Sequence, residues 1–216
     1  MDNFKKVFVI PIKNEYNHEK SDRLLKFVSD EKRKIISACF DELAKKESLY
    51  SHIAVKIIIK REFGINIDEI VIVTDEMGKP HIAGHPEIHF NISHTDNLIA
   101  IALSDTEVGV DVQTELCPNI KIAKRFFTAQ ECDYIYFDDE NTAKRFTEIW
   151  TKKEAYIKCS GIGLRTPLNE FCVLGDGFKN MFKTFEIGNC VISFYDGQPD
   201  NDISLVEMTE NEIENI

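Results

Sequence analysis

Four groups of residues in this 216-residue chain have the types and spacing for chemistry. Trp150, Glu154 and Lys158 recur every four residues in "WTKKEAYIKCSGIGL", so they share one stripe of a helix. An acid and a cation on one stripe can serve a charged substrate. They can also be an ordinary surface pair, worth ~0.2–0.5 kcal/mol. In "VGVDVQ", strand alternation sends Val108, Val110 and Val112 to one face and Gly109, Asp111 and Gln113 to the other. A carboxylate and an amide oxygen beside a glycine leave room for a ligand; a half-buried strand with a polar outer face has the same pattern. Lys79 sits on a Gly-Lys-Pro turn, and Ser93–His94 close a strand in "HFNISHTDN". The Ser-His pair can donate to an anion. It is no nucleophile–base pair, because strand neighbours point to opposite faces.

These residues need elements to hold them. "VFVIPI", "IHFNIS", "LIAIALS" and "VGVDVQ" read as strands, and "EIVIVT" leads into a turn at residues 77–80. "SDRLLKFVSDEKRKIISACF" carries helical signals, with Ser29 as a weak cap. "SLYSHIAVKIIIKREFG" is helical and stops at Gly64. "NIKIAKRFF" and "TAQECDYIYF" read as short helices. "NTAKRFTEIWTKKEAYIKCSG" is a long one, with Ala143, Phe146, Trp150 and Ile157 at helical spacing. The tail reads as strand and turn. The irregular alternation predicts an α+β fold with antiparallel sheet. A lobe boundary falls near residues 104–107, giving lobes 1–104 and 105–216.

The bulk composition sets limits. Hydrophobic residues make up 43% and charged residues 29%, which indicates a folded, soluble protein. No apolar run approaches a membrane span, and the first residues lack the pattern of a secretory signal. The six cysteines form no CxxC pair, which argues against zinc and disulfides and for the cytoplasm. The net charge is −11. Residues 1–61 hold 14 Lys/Arg against 9 Asp/Glu, so the rest of the chain is the acidic part. That asymmetry is either drift between faces, or a first segment that meets an anion and a second that holds a cation. Overall acidity excludes a general nucleic-acid binder.

Together, "HFNISHTDN", "VGVDVQ", "AKRFFTAQE" and "WTKKEAYIKCSGIGL", in this order and spacing, resemble the 4'-phosphopantetheinyl transferases of the two-lobed, Sfp-like type. The resemblance implies two similar α+β lobes in pseudo-two-fold relation, each a small, mainly antiparallel sheet with a long helix. It implies transfer of the phosphopantetheine arm of coenzyme A to a serine hydroxyl of an apo acyl or peptidyl carrier protein, releasing adenosine 3',5'-bisphosphate. It implies Mg²⁺, or Mn²⁺, held by Asp111, Gln113 and Glu154, with Asp111, Glu154 and Lys158 catalytic. It assigns Lys79, Ser93, His94, Lys158, Trp150 and Lys32 to coenzyme A, with no nucleic acid, no membrane and a monomeric state expected.

Three points in the pattern stay open. The family often has a second acid where this chain has Gln113. It commonly has an arginine before the first long helix, where this chain has lysines. Glu131 matches a family acid near the reacting end, but Thr128 and Glu131 also spell a capping box. The rival expectation is a coenzyme A or nucleotide-binding protein without transfer activity.

Overall fold

The computed structural model describes residues 4–95, 97–161, 167–199 and 202–216. Strand β1 (Lys5–Pro11) precedes three helices, α1 (His18–Leu24), α2 (Asp30–Ala38) and α3 (Glu42–Phe63). Strands β2 (Ile72–Thr74) and β3 (Pro80–Ile82) form a small hairpin, followed by β4 (His89–Thr95), β5 (Leu98–Ser104) and β6 (Gly109–Thr114). Then come helices α4 (Ile120–Phe126), α5 (Ala129–Ile135) and α6 (Thr142–Ser160). Strands β7 (Phe182–Ile187), β8 (Cys190–Tyr195) and β9 (Ser204–Glu207) and helix α7 (Glu210–Glu214) complete the order. The class is α+β, as the sequence predicts.

Local signals explain the boundaries. The segment 21–40 breaks into separate helices, and Ser29 Oγ accepts the Lys32 amide at 3.2 Å to start α2. Asp41 caps α3, so the helix begins upstream of Ser48, where its apolar pattern becomes evident. Gly64, at φ +73°, ends α3 in the left-handed conformation that a side chain would strain. The expected turn at 77–80 is centred slightly earlier, because the Asp75 carboxylate accepts the amides of Met77 and Lys79, each at 2.8 Å.

Strand alternation builds the layers. One sheet runs β4-β5-β1-β9 and a second runs β6-β8-β7. Phe8, Ile10, Ile99, Ile101 and Leu103 point to the face covered by Leu49, Ile53 and Ile58 of α3. Val7, Val9, Ala100 and Ala102 point the other way and meet Val108, Val110, Val112, Ile192 and Phe194 of the second sheet. The far face of the second sheet lies on α6, where Thr151 Oγ1 and Ser193 Oγ are 2.8 Å apart and buried. Each sheet therefore has its own long helix outside and shares one apolar layer inside. All pairings are antiparallel except β1 with β9.

That exception matters for the lobes. Residues 204–216, expected in the second lobe, return to the first. β9 pairs with β1, and Met208 and Ile213 enter the α3 core. The segment is short and polar, and it carries little periodic signal of its own.

The expected ligand space at Gly109 is not there. A Cβ on residue 109 would lie 1.9 Å from the Ala155 carbonyl oxygen and 2.5 Å from the Cys159 amide nitrogen. The glycine admits the backbone of α6, not a ligand. Gly109→Ala should push α6 off β6 and destabilise the fold by about 3 kcal/mol or more, read as a lower urea midpoint.

Candidate active site

The close approach at Gly109 hangs α6 over the seam between β4 and β6. These two strands lie side by side without forming a ladder. Asn91 Oδ1 accepts the Val110 amide at 3.0 Å, and Ser93 Oγ accepts the Val112 amide at 3.3 Å. Both donors need a partner because the seam is buried. Ser93 Oγ then donates its own proton to Asp111 Oδ1 at 2.8 Å. The serine that closes the seam is thus also the serine that holds the acid.

A cavity of about 360 Å³ opens at this seam. Ser93, His94, Asp111, Gln113, Trp150, Glu154 and Lys158 line it, with Ile92. The helical stripe and the strand face therefore converge. The Lys158 ammonium donates to Asp111 Oδ1 at 2.7 Å and to Ser93 Oγ at 2.9 Å. Lys158 does not pair with Glu154, so the surface-pair reading of the helix does not hold. Among the described residues, no side chain pairs with the Glu154 carboxylate. Burial and the neighbouring Asp111 charge raise the Glu154 pKa, and Lys158 only partly offsets them.

Asp111 is 2% exposed, and its Oδ2 is buried with no hydrogen-bond partner. An orphaned carboxylate oxygen on a cavity that holds a second, unpaired carboxylate suits a cation better than any neutral group. Gln113 adds an amide oxygen to the same wall. The donor set is all oxygen, which suits Mg²⁺ or Mn²⁺ rather than a softer metal. It contains only two carboxylates, and no cluster of three His, Cys, Asp or Glu side chains suited to a metal occurs among the described residues.

Trp150 forms one end of the wall. Phe126 and Phe127 brace it edge-on, with ring centroids 6.3 and 6.4 Å away. His94 stands half exposed at the rim, with Nδ1 3.0 Å from Glu47 Oε2 of α3. Burial, then Lys158 and Lys32, hold the imidazole pKa below its usual value, against a smaller opposing effect of Asp111. At neutral pH the contact with Glu47 is therefore a hydrogen bond from a neutral ring.

Two expected residues stand apart from the cavity. Lys32, on α2, does not line it, although its charge is felt at both His94 and His52. Lys79 forms an ion pair with Glu107 and donates to the Cys159 carbonyl at 2.8 Å, at the C-terminal end of α6. It lines a separate cavity of about 270 Å³ with His89 and Glu107. Residue 96 of the first motif and residues 162–164 of the last lie outside the described residues.

Glu131 is fully buried and belongs to the architecture. It completes the capping box with Thr128, accepts the Val173 amide at 2.8 Å and pairs with Lys153 at 2.9 Å. One carboxylate does serve cap and ion pair together: Oε2 takes both the Thr128 groups and the Lys153 ammonium, and Oε1 takes the Val173 amide.

The sequence reading did not single out Asn91 or Glu47. The signal for Asn91 was present: Asn91 and Ser93 alternate with Phe90 and Ile92, so they share one face of the strand. Glu47 had none, since its contact with His94 spans 47 positions. A larger cavity, about 410 Å³, lies between the end of β1 and α7. Its buried Lys46 is fully engaged by the carbonyls of Lys13 and Glu15, each at 2.7 Å, and by Glu210 at 2.5 Å.

Comparison with known proteins gives relatives of the chain. A family profile described as the 4'-phosphopantetheinyl transferase superfamily matches residues 107–204, and one for the N-terminal part of 4'-phosphopantetheinyl transferase matches residues 14–106. The chain is 29% identical over 197 residues to 4'-phosphopantetheinyl transferase Sfp of Bacillus subtilis (strain 168), covering 90% of this chain and 88% of the relative. It is 31% identical over 169 residues to 4'-phosphopantetheinyl transferase ffp of Bacillus subtilis, covering 78% and 75%. It is 28% identical over 200 residues to 4'-phosphopantetheinyl transferase psf-1 of Bacillus pumilus, covering 90% and 86%.

The raised Glu154 pKa has a stability consequence. A carboxyl whose pKa is higher in the fold than in the unfolded chain makes the protein bind more protons when folded. Metal-free stability therefore falls as pH rises from the ordinary carboxylate range through the raised value. Glu154→Gln removes this loss. In chelator, the variant should melt higher than the native protein at neutral pH, and the gap should close as the pH drops below the ordinary carboxylate range.

Proposed function

The chain belongs to the 4'-phosphopantetheinyl transferase superfamily, and we propose that it carries out its transfer in the cavity bounded by β4, β6 and α6. It moves the phosphopantetheine arm of coenzyme A to carrier proteins. The observation that carries the site assignment is the meeting of Asp111, Glu154 and Lys158 on one cavity, with Asp111 Oδ2 buried and unpartnered.

Phosphoryl transfer asks for alignment and charge neutralisation more than covalent help. The carrier serine oxygen forms a bond to the phosphorus that bears the pantetheine arm. The pyrophosphate bond breaks, and adenosine 3',5'-bisphosphate leaves with the electron pair. Asp111, Gln113 and Glu154 would hold Mg²⁺ or Mn²⁺, which supplies positive charge against the pyrophosphate oxygens. Lys158 supplies a second, fixed positive charge. It is already held between Asp111 and Ser93, so it needs little reorganisation to meet a phosphate oxygen. Glu154 accepts the serine proton, directly or through water. Its raised pKa makes it a stronger base than an exposed carboxylate.

Coenzyme A lies between the lobe built on residues 1–104 and the one that begins at 105, with Ser93 and His94 toward its 3'-phosphate. Trp150 shapes the wall, and Lys79 and Lys32 add charge along the path from outside the cavity. The implied setting is a cytoplasmic monomer acting on a soluble carrier. All six cysteines are unpaired thiols, and no described helix is long and apolar enough to cross a membrane.

Incubation with apo carrier protein, coenzyme A and Mg²⁺, followed by intact-mass measurement, should add one phosphopantetheine to the carrier. Asp111→Ala and Glu154→Ala should each cut the rate by at least ~10²-fold. Undiminished turnover in either variant, or in excess chelator, would overturn the site assignment. Gln113→Glu should lower the Mg²⁺ concentration at half-maximal rate and widen the melting gap between metal-loaded and metal-free protein, because two close carboxylates repel without a cation.

A further inference from the structure

His94, which lines the cavity, meets Glu47, the buried acid of α3. Glu47 is 7% exposed, and its Oε2 lies 3.0 Å from His94 Nδ1. The charge around this pair is otherwise mostly positive. Lys158 and Lys32 both act electrostatically on His94, and Lys32 and Lys56 on the buried His52 of α3. An anion entering this corner from solution would find ammonium groups on several sides and one carboxylate already in place.

The hydrogen-bond arithmetic of imidazole makes that carboxylate consequential. A neutral ring has one N–H and one bare nitrogen. An ionised Glu47 carboxylate only accepts, so the Nδ1 contact then places the ring proton on Nδ1. Nε2 is then an acceptor, with nothing to donate to a phosphate oxygen. Glu47 also sets a negative charge beside the place where a phosphate would sit, and like charges discriminate strongly at a desolvated site.

Resting on the reading that coenzyme A binds with its 3'-phosphate toward His94, we infer that Glu47 sets donor specificity: by engaging His94 Nδ1 it denies the imidazole to the 3'-phosphate and so relaxes the preference for coenzyme A over 3'-dephospho-coenzyme A. Glu47 acts through His94 and is a positioning residue.

The test uses two readouts. Calorimetry gives the Kd of adenosine 3',5'-bisphosphate and of AMP. Transfer to one apo carrier gives kcat and KM for coenzyme A and for 3'-dephospho-coenzyme A. The native protein should favour the 3'-phosphorylated member of each pair by no more than about tenfold. Glu47→Gln should raise that preference by about a further tenfold, expressed in KM rather than kcat. The gain should vanish when His94→Ala is added, since it runs through the imidazole.

Glu47→Asp keeps the charge but withdraws it from the ring. It should shift the preference in the same direction by less, and it serves as the test should Glu47→Gln fail to fold. An unchanged ratio, an equal gain for both members of a pair, a loss of preference, or a gain that survives His94→Ala would each overturn the inference. Absence of transfer from either donor, with the expected nucleotide ratios intact, would instead remove the catalytic reading and leave the role of Glu47 standing.

Discussion

A helix carbonyl occupies the place where residue 109 would carry a side chain. That contact fixes the distance of α6 from β6, and the rest of the site follows from it. With the helix this close, Asp111 and Gln113, two and four positions along the strand from Gly109, share a cavity with residues one turn apart on α6. Lys158 reaches Asp111, and Glu154 faces the same cavity. The buried Thr151–Ser193 hydrogen bond holds the register on the next strand. A larger residue at 109 would not merely cost packing energy. It would move both Glu154 and Lys158 away from Asp111.

The two sheets are joined by side chains where a ladder is missing. Asn91 and Ser93 supply the acceptors that the β6 amides need, and the Lys5–Asp196 ion pair, buried on both sides, ties β1 to the end of β8. Backbone pairing along the seam would have closed it. Side-chain pairing satisfies the amides and leaves a gap beside them. The gap is the cavity, so the means of joining the halves also creates the site between them. Burying Lys5 with Asp196 is weak evidence for stability, because desolvation offsets the attraction. Its more secure consequence is geometric, since either partner alone would be a buried charge.

Much of this was legible in the sequence, and the limits have physical causes. The strand alternation of "VGVDVQ" and the stripe at 150, 154 and 158 placed five cavity residues correctly on their elements. Periodicity gives the face of an element, but it does not say what covers that face. Gly109 was read as space for a ligand when it is space for a helix. Glu154 and Lys158 were spaced for each other, yet Lys158 found a more deeply buried acid. The end of the chain was missed for another reason: "SLVE" is too short to show a period, and only the exposed edge of β1 explains why it is a strand. Contacts such as Glu47 with His94 depend on how α3 crosses the sheet, which no local pattern encodes.

Two buried carboxylates, each with a lysine from α6, differ in how completely their oxygens are met. Lys153 serves Glu131 and Lys158 serves Asp111, five residues apart on one helix. Glu131 Oε1 accepts the Val173 amide, and Oε2 accepts the Thr128 amide and hydroxyl and the Lys153 ammonium. Lys153 in turn donates to the carbonyls of Leu168 and Phe171. Nothing in that network is left to bind a newcomer, and adding one would break a bond already made. Asp111 gives Oδ1 to Ser93 and Lys158 but leaves Oδ2 without a partner in a buried place. An unmet buried oxygen costs stability, of order 1–3 kcal/mol or more for a charged group. The fold tolerates this beside a second unpaired acid, on the one wall where a cation would relieve both. Ion pairing with α6 is common to the two acids, so it cannot mark function. What differs is the unsatisfied oxygen, which Asp111 has and Glu131 lacks.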